Sequence, residues 1–171
     1  MRETQPDATT PQIAPPPTPT ALPIGGWLLL ISLGVVFTPF MILYDLQMFP
    51  PLFADGTWEY LTSETSQMYH PLWGPLILGE LIVNLALLGV SLYLAYLFFA
   101  RKLGFPGLFV AIRVFVPLFI LLDGAMYKLI LPAEPMFDPI SARQLATSII
   151  AALIWIPYMK LSKRVKATFV N

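Results

Sequence analysis

Apolar residues fall into four long blocks divided by short polar interruptions. The most continuous covers 72–100, a run of 29 residues whose only carboxylate is Glu80 and only amide Asn84. At about 1.5 Å per residue this run exceeds the roughly 30 Å hydrocarbon core of a bilayer. Inside lipid a lone segment satisfies its backbone groups only as a helix. The pattern therefore predicts a membrane-spanning helix over 72–100 and three more over about 25–49, 107–131 and 142–161. The fold class that follows is an all-α membrane protein, a bundle of four transmembrane helices. Pro39 and Pro117 lie inside the first and third spans, where each removes a backbone hydrogen bond and predicts a bend.

The polar interruptions differ in kind. The first loop, 50–71, holds Asp55, Glu59 and Glu64 and no lysine or arginine. Trp58, Tyr60, Tyr69 and Trp73 are the aromatic types that settle at lipid headgroup level. Ala54-Asp55-Gly56-Thr57 reads as a turn that starts a short interfacial helix reaching Leu61. A second short loop, 133–141, carries Glu134 and Asp138. Basic residues gather elsewhere: Arg101 and Lys102 between spans two and three, and Lys160, Lys163, Arg164 and Lys166 after span four. The positive-inside rule then places both termini and the middle connection in the cytoplasm, and both longer loops outside. Residues 1–24, with seven prolines, read as a disordered cytoplasmic tail, and 162–171 as a basic cytoplasmic tail against anionic lipid heads.

Composition narrows the chemistry. At 57% hydrophobic and 12% charged residues, the chain is too apolar for an ordinary soluble domain. It has no cysteine and one histidine, so thiolate metal sites, cysteine nucleophiles and histidine clusters are excluded. No G-x-S-x-G turn presents a serine, and no cofactor motif occurs. No catalytic residue, metal or cofactor is therefore assigned, and nucleic-acid binding is discounted. The expectation is a non-enzyme whose first partner is the bilayer.

An internal comparison adds one pattern. Residues 26–45 aligned on 104–123 agree at eight of twenty positions. These include Pro39 with Asp45 and Pro117 with Asp123, the same Pro-x5-Asp spacing. The match suggests a parallel repeat of two helical hairpins.

Four acidic or amide groups stand out because they lie within apolar spans. Glu80 and Asn84, four apart, share one helix face. Asp45 and Asp123 sit in the outer parts of spans one and three, with Lys128 near the outer end of span three. An ionisable group inside a membrane is a functional-site hypothesis by default. Two readings stand. Glu80 or Asp123 exchanges a proton or cation through a polar cavity open outward. Otherwise one of them pairs with Lys128 or Arg143 and pins helices together, the plainer reading. Arg113 is expected to snorkel towards the inner headgroups. His70, just before Pro71, is expected to contact the start of its helix at the interface. Trp73 joins it there, while Trp155 and Tyr158 form an inner aromatic belt. Ser148-x3-Ala152 and Thr147-x3-Ala151 give span four a smooth face for close packing.

Several stretches carry a likeness. Gly25-Gly26-Trp27-Leu28, His70-Pro71-Leu72-Trp73 with Pro75, Glu80 and Asn84, and Phe98-Phe99 with Arg101-Lys102 and Phe105-Pro106 are three of them. The fourth is Ile154-Trp155-Ile156-Pro157-Tyr158 followed by Ser162-Lys163-Arg164-Val165-Lys166-Ala167-Thr168-Phe169. Together they resemble a bacterial inner-membrane family catalogued as domain of unknown function 2569, over about 24–170. The resemblance implies a four-helix inner-membrane protein and carries no activity with it. The leading functional expectation is an accessory or assembly subunit of a membrane complex, or a self-oligomer. The alternative is a small proton- or cation-coupled transporter or channel using Glu80 and Asp123.

Overall fold

Four helices of the computed structural model are long and apolar enough to cross a membrane. The structure describes residues 22–170, so the proline-rich segment expected over 1–24 lies almost wholly outside the described residues. The first span, α1 (Leu28–Leu46), is followed by two short helices, α2 (Phe49–Ala54) and α3 (Thr57–Thr62). The remaining spans are α4 (Trp73–Phe99), α5 (Gly104–Ile130) and α6 (Pro139–Leu161), and the chain closes with α7 (Lys163–Thr168). Among the described residues every regular element is helical. Helices α1 and α5 continue through Pro39 and Pro117 without interruption.

Local chemistry fixes where these helices begin and end. Asp55 accepts the Thr57 N–H at 3.0 Å, and Gly56 takes φ +84°, a left-handed conformation that suits a residue without Cβ. That turn starts α3 where the sequence expects it. At the far end of α4, Lys102 N–H donates to the Leu97 carbonyl at 2.9 Å and Arg101 N–H to Phe98 at 3.1 Å. This is a Schellman end, with Arg101 in the left-handed position usually given to glycine. It turns the chain sharply and makes α4 and α5 antiparallel.

Helices pack in chain order: α1 on α4, α4 on α5, α5 on α6. Helices α1 and α6 form no such seam, but meet where the Trp27 and Trp155 rings lie edge to face at 6.4 Å. The core sits at this terminal end of the bundle. Leu28, Ile31 and Val35 of α1 pack with Leu94, Leu97 and Phe98 of α4 and Phe105 and Phe109 of α5. The residues expected as a basic tail form α7, which turns Val165 and Phe169 into that core. Phe169 stacks on Phe105 at 4.6 Å between ring centres and lies 5.8 Å from Phe98. The Leu22 N–H donates to the Ala167 carbonyl at 3.0 Å, and Arg164 reaches the Pro23 carbonyl at 3.4 Å, so both ends of the described chain are tied together.

Candidate functional site

Glu80 lies seven residues into α4, and Asp123 lies seven residues before the end of α5. Because the two helices are antiparallel, this puts both about 10 Å below the loop-side end of the bundle. Across the α4–α5 seam their carboxyl groups come within hydrogen-bonding reach of each other. Both line a cavity of about 410 Å³ with Asn84, Gln144 and Ser141. Asn84 donates its amide to the Glu80 main-chain carbonyl at 2.9 Å, which fixes the side chain on the cavity wall.

The cavity is roofed by the segment joining α5 to α6. Residues 134–138 line it, and the Phe137 ring lies so close over Gly124 that a Cβ there would run into it. Lys128 holds this segment in place, donating to the Pro132 carbonyl at 2.7 Å and the Glu134 carbonyl at 2.6 Å. Asp138 caps α6, accepting from Ile140 N–H at 2.7 Å and Ser141 N–H at 2.8 Å. Those N–H groups, Ser141 first, hold the Asp138 carboxyl below its ordinary range.

Below this cavity a second one, of about 230 Å³, shares Asn84, Leu87, Val116 and Gln144 with it. Asp45 and Thr38 line it from α1, Ser91 from α4 and Arg113 from α5. Polar groups thus continue from the carboxyl pair to mid-membrane depth. The path stops against Phe109, a core residue. Arg113 leans towards the terminal end, its guanidinium 5.0 Å from the centre of the Phe109 ring.

The structure brings together Glu80, Asn84 and Asp123, and sets Asp45 in the adjoining cavity. It does not bring Lys128 among them: that ammonium is engaged by loop carbonyls, and neither Lys128 nor Arg143 lines either cavity. The interfacial residues stand apart. His70 Nδ1 accepts the Leu72 N–H at 3.2 Å at the start of α4. Trp73 Nε1 donates to the Met68 carbonyl at 3.1 Å, with its ring edge-on to Tyr127. Trp155 and Tyr158 pack edge to face at the opposite end, 5.9 Å apart. Two site residues escape a reading of sequence alone, Gln144 and Phe137. Asp138-Pro139 is a cap followed by proline at the first helical position, and it starts α6 three residues before 142. That earlier start carries Gln144 deeper along the span.

Residues 21–170 match the model of a family described as a protein of unknown function, DUF2569. The chain is also 31% identical over 161 residues to "Inner membrane protein YdgK" of Escherichia coli strain K12, covering 90% of this chain and 98% of that protein. No solved structure matches it. The match over nearly all the described residues, carried by an integral inner-membrane relative and by four membrane-length helices, makes this chain a member of the DUF2569 family.

Proposed function

We propose that this is a non-enzymatic inner-membrane protein that takes up and releases a proton or monovalent cation at Glu80 and Asp123. The observation behind this reading is that Glu80 and Asp123 line, on facing helices, one cavity that no lysine, arginine or histidine lines. Two carboxylates so close repel strongly inside a membrane, and a shared proton or a bound cation relieves that repulsion. Helix-pinning by an ion pair would need a basic group at the site, and Lys128 is committed to loop carbonyls. Among the described residues no three His, Cys, Asp or Glu side chains converge as a metal site would require, so the ligand set favours a proton or a monovalent ion. With the basic terminal end in the cytoplasm, the cavity lies towards the outer side, beneath the roof segment 134–138.

The test is uptake of protons, Na+ or K+ into vesicles containing the purified protein. Wild type should exceed protein-free vesicles, and Glu80→Gln or Asp123→Asn should cut the excess at least about tenfold. Membrane abundance of Glu80→Gln should stay near wild type, because no basic partner is left unpaired. Wild-type uptake equal to that of empty vesicles refutes the exchange reading.

A second observation supports the accessory or self-oligomer reading. Asp45 and Gln144 are exposed along the α1–α6 gap, although both lie within spans. Polar groups facing lipid there are costly, and a second copy or a partner helix would cover them. Native mass spectrometry of protein extracted from its own membranes should then show a stoichiometric oligomer or foreign subunit. A bare monomer in mild detergent counts against it.

A further inference from the structure

On the lipid-facing side of the α5–α6 seam, a crevice of about 390 Å³ lies at the terminal end of the bundle. Pro106, Gly107 and Val110 line it from α5, Met159 and Lys160 from α6, and Lys166 from α7. Above it, along the same two helices, lies a crevice of about 420 Å³, bordered by Arg113 and otherwise apolar, lined by Val114, Pro117 and Leu121 with Ile149 and Leu153. Positions 106, 110, 114, 117 and 121 recur every three or four residues, as do 149, 153, 156 and 160, so each series forms one stripe on its helix. The two crevices therefore follow one furrow. From Pro106 to Leu121 it rises about 22 Å, longer than the roughly 15 Å acyl layer of one leaflet.

We propose that this furrow is a binding site for an anionic phospholipid of the leaflet at the terminal end. Its phosphate lies between Lys160 and Lys166, and one acyl chain runs along the α5–α6 furrow. Charge complementarity selects this occupant. Among the described residues every acidic side chain belongs to the loop-side half, whereas Arg101, Lys102, Lys160, Lys163, Arg164 and Lys166 all gather at the terminal end. The lysines at the foot of the furrow stand at headgroup depth, and apart from Arg113 the furrow above them is apolar. The proline at 117 and the bare backbone at Gly107 leave room along its floor; a Cβ on Gly107 would meet nothing within 4 Å. The proposal is independent of the carboxyl pair, which lies at the other end of the bundle.

A diffuse basic belt would make every exposed lysine at this end equivalent, and Lys163 lines neither crevice. That difference supplies the test. Native mass spectrometry of the full chain in mild detergent would follow retention of phosphatidylglycerol against phosphatidylcholine with the same acyl chains. One phosphatidylglycerol should be held in preference. Lys160→Ala and Lys166→Ala should each weaken it about fivefold, the contribution of one lysine near an anionic surface, and Lys163→Ala by less than about twofold. Gly107→Leu, which keeps every charge, should displace the lipid by filling the furrow. Equal retention of phosphatidylcholine, an equal loss in Lys163→Ala, or undiminished binding by Gly107→Leu would each overturn the site.

Discussion

The two ends of this bundle are built on opposite principles. At the terminal end Phe98 and Phe105 are 0% exposed and Phe169 2%, with their ring centres 4.6 to 5.8 Å apart. At the loop end the same α4 and α5 enclose a cavity of about 410 Å³ walled by carboxyls and amides. Between lipid-exposed helices there is little hydrophobic driving force, because acyl chains are as apolar as leucine. Close packing of large rings therefore does the holding, and the fully buried rings cluster at the terminal end. The other end is left hollow because its own side chains are polar and because α1 and α6 separate there. One end of the molecule keeps the helices together, and the other keeps space between them.

The strongest way to break this contrast is to hollow the packed end. Phe98→Ala removes a ring that touches Phe99, Phe105 and Phe169 and should cost about 3–5 kcal/mol of stability. Unfolding in detergent, followed by temperature or denaturant, measures it. A loss under about 1 kcal/mol would mean that the aromatic cluster is not what holds the bundle, and the contrast between the ends would fail.

A smaller effect should come from overfilling the hollow end. Gly124→Ala forces the Phe137 ring off its seat, at a cost of about 1–3 kcal/mol if the roof segment gives way only in part. Displacing the roof should also open the cavity. The chain has no cysteine, so an Ile120→Cys background gives a single, half-buried reporter on the cavity wall. Its reaction with a water-soluble maleimide should quicken when Gly124→Ala is added. Unchanged labelling would show that Phe137 does not close the site.

The contrast between the ends also explains which features could be seen in the sequence. Four apolar blocks gave all four spans, because hydrocarbon thickness demands about twenty apolar residues of any helix that crosses it. The Asp55-Gly56 turn was equally legible, since its cap and its left-handed glycine are local chemistry. Glu80, Asn84 and Asp123 were legible as candidates because polar groups inside a span are conspicuous. Their convergence was not, since the pairing of Glu80 with Asp123 depends on how far α4 and α5 slide along each other. The fate of Lys128 was hidden for a similar reason: its bonds to the Pro132 and Glu134 carbonyls depend on the path of the roof segment. The burial of α7 ran against composition, because three of its six residues are basic. Only the spacing of Val165 and Phe169, four apart, marks the face turned inwards.

The finest test concerns the joint between the hollow end and its roof. Asp138 caps α6 through the Ile140 and Ser141 N–H groups, and it also lines the cavity. Those bonds favour the carboxylate, so the folded pKa lies below the unfolded value of about 3.9. A depressed pKa means the cap's contribution is fully present above that unfolded value and is lost as pH falls through the lower, folded one. Around neutral pH the cap is therefore intact, and only strong acid removes it. Asp138→Ala should fray the first turn of α6 at every pH, seen as faster amide exchange at Ile140 and Ser141, with overall unfolding little changed. Asp138→Asn keeps the accepting oxygen but not the charge, so it should hold the turn and abolish the acid dependence. If both variants exchange as slowly as wild type, the roof is anchored by Lys128 and Phe137 without the cap. If Asp138→Ala also lowers global stability, the hollow end contributes more to holding the bundle than its packing suggests.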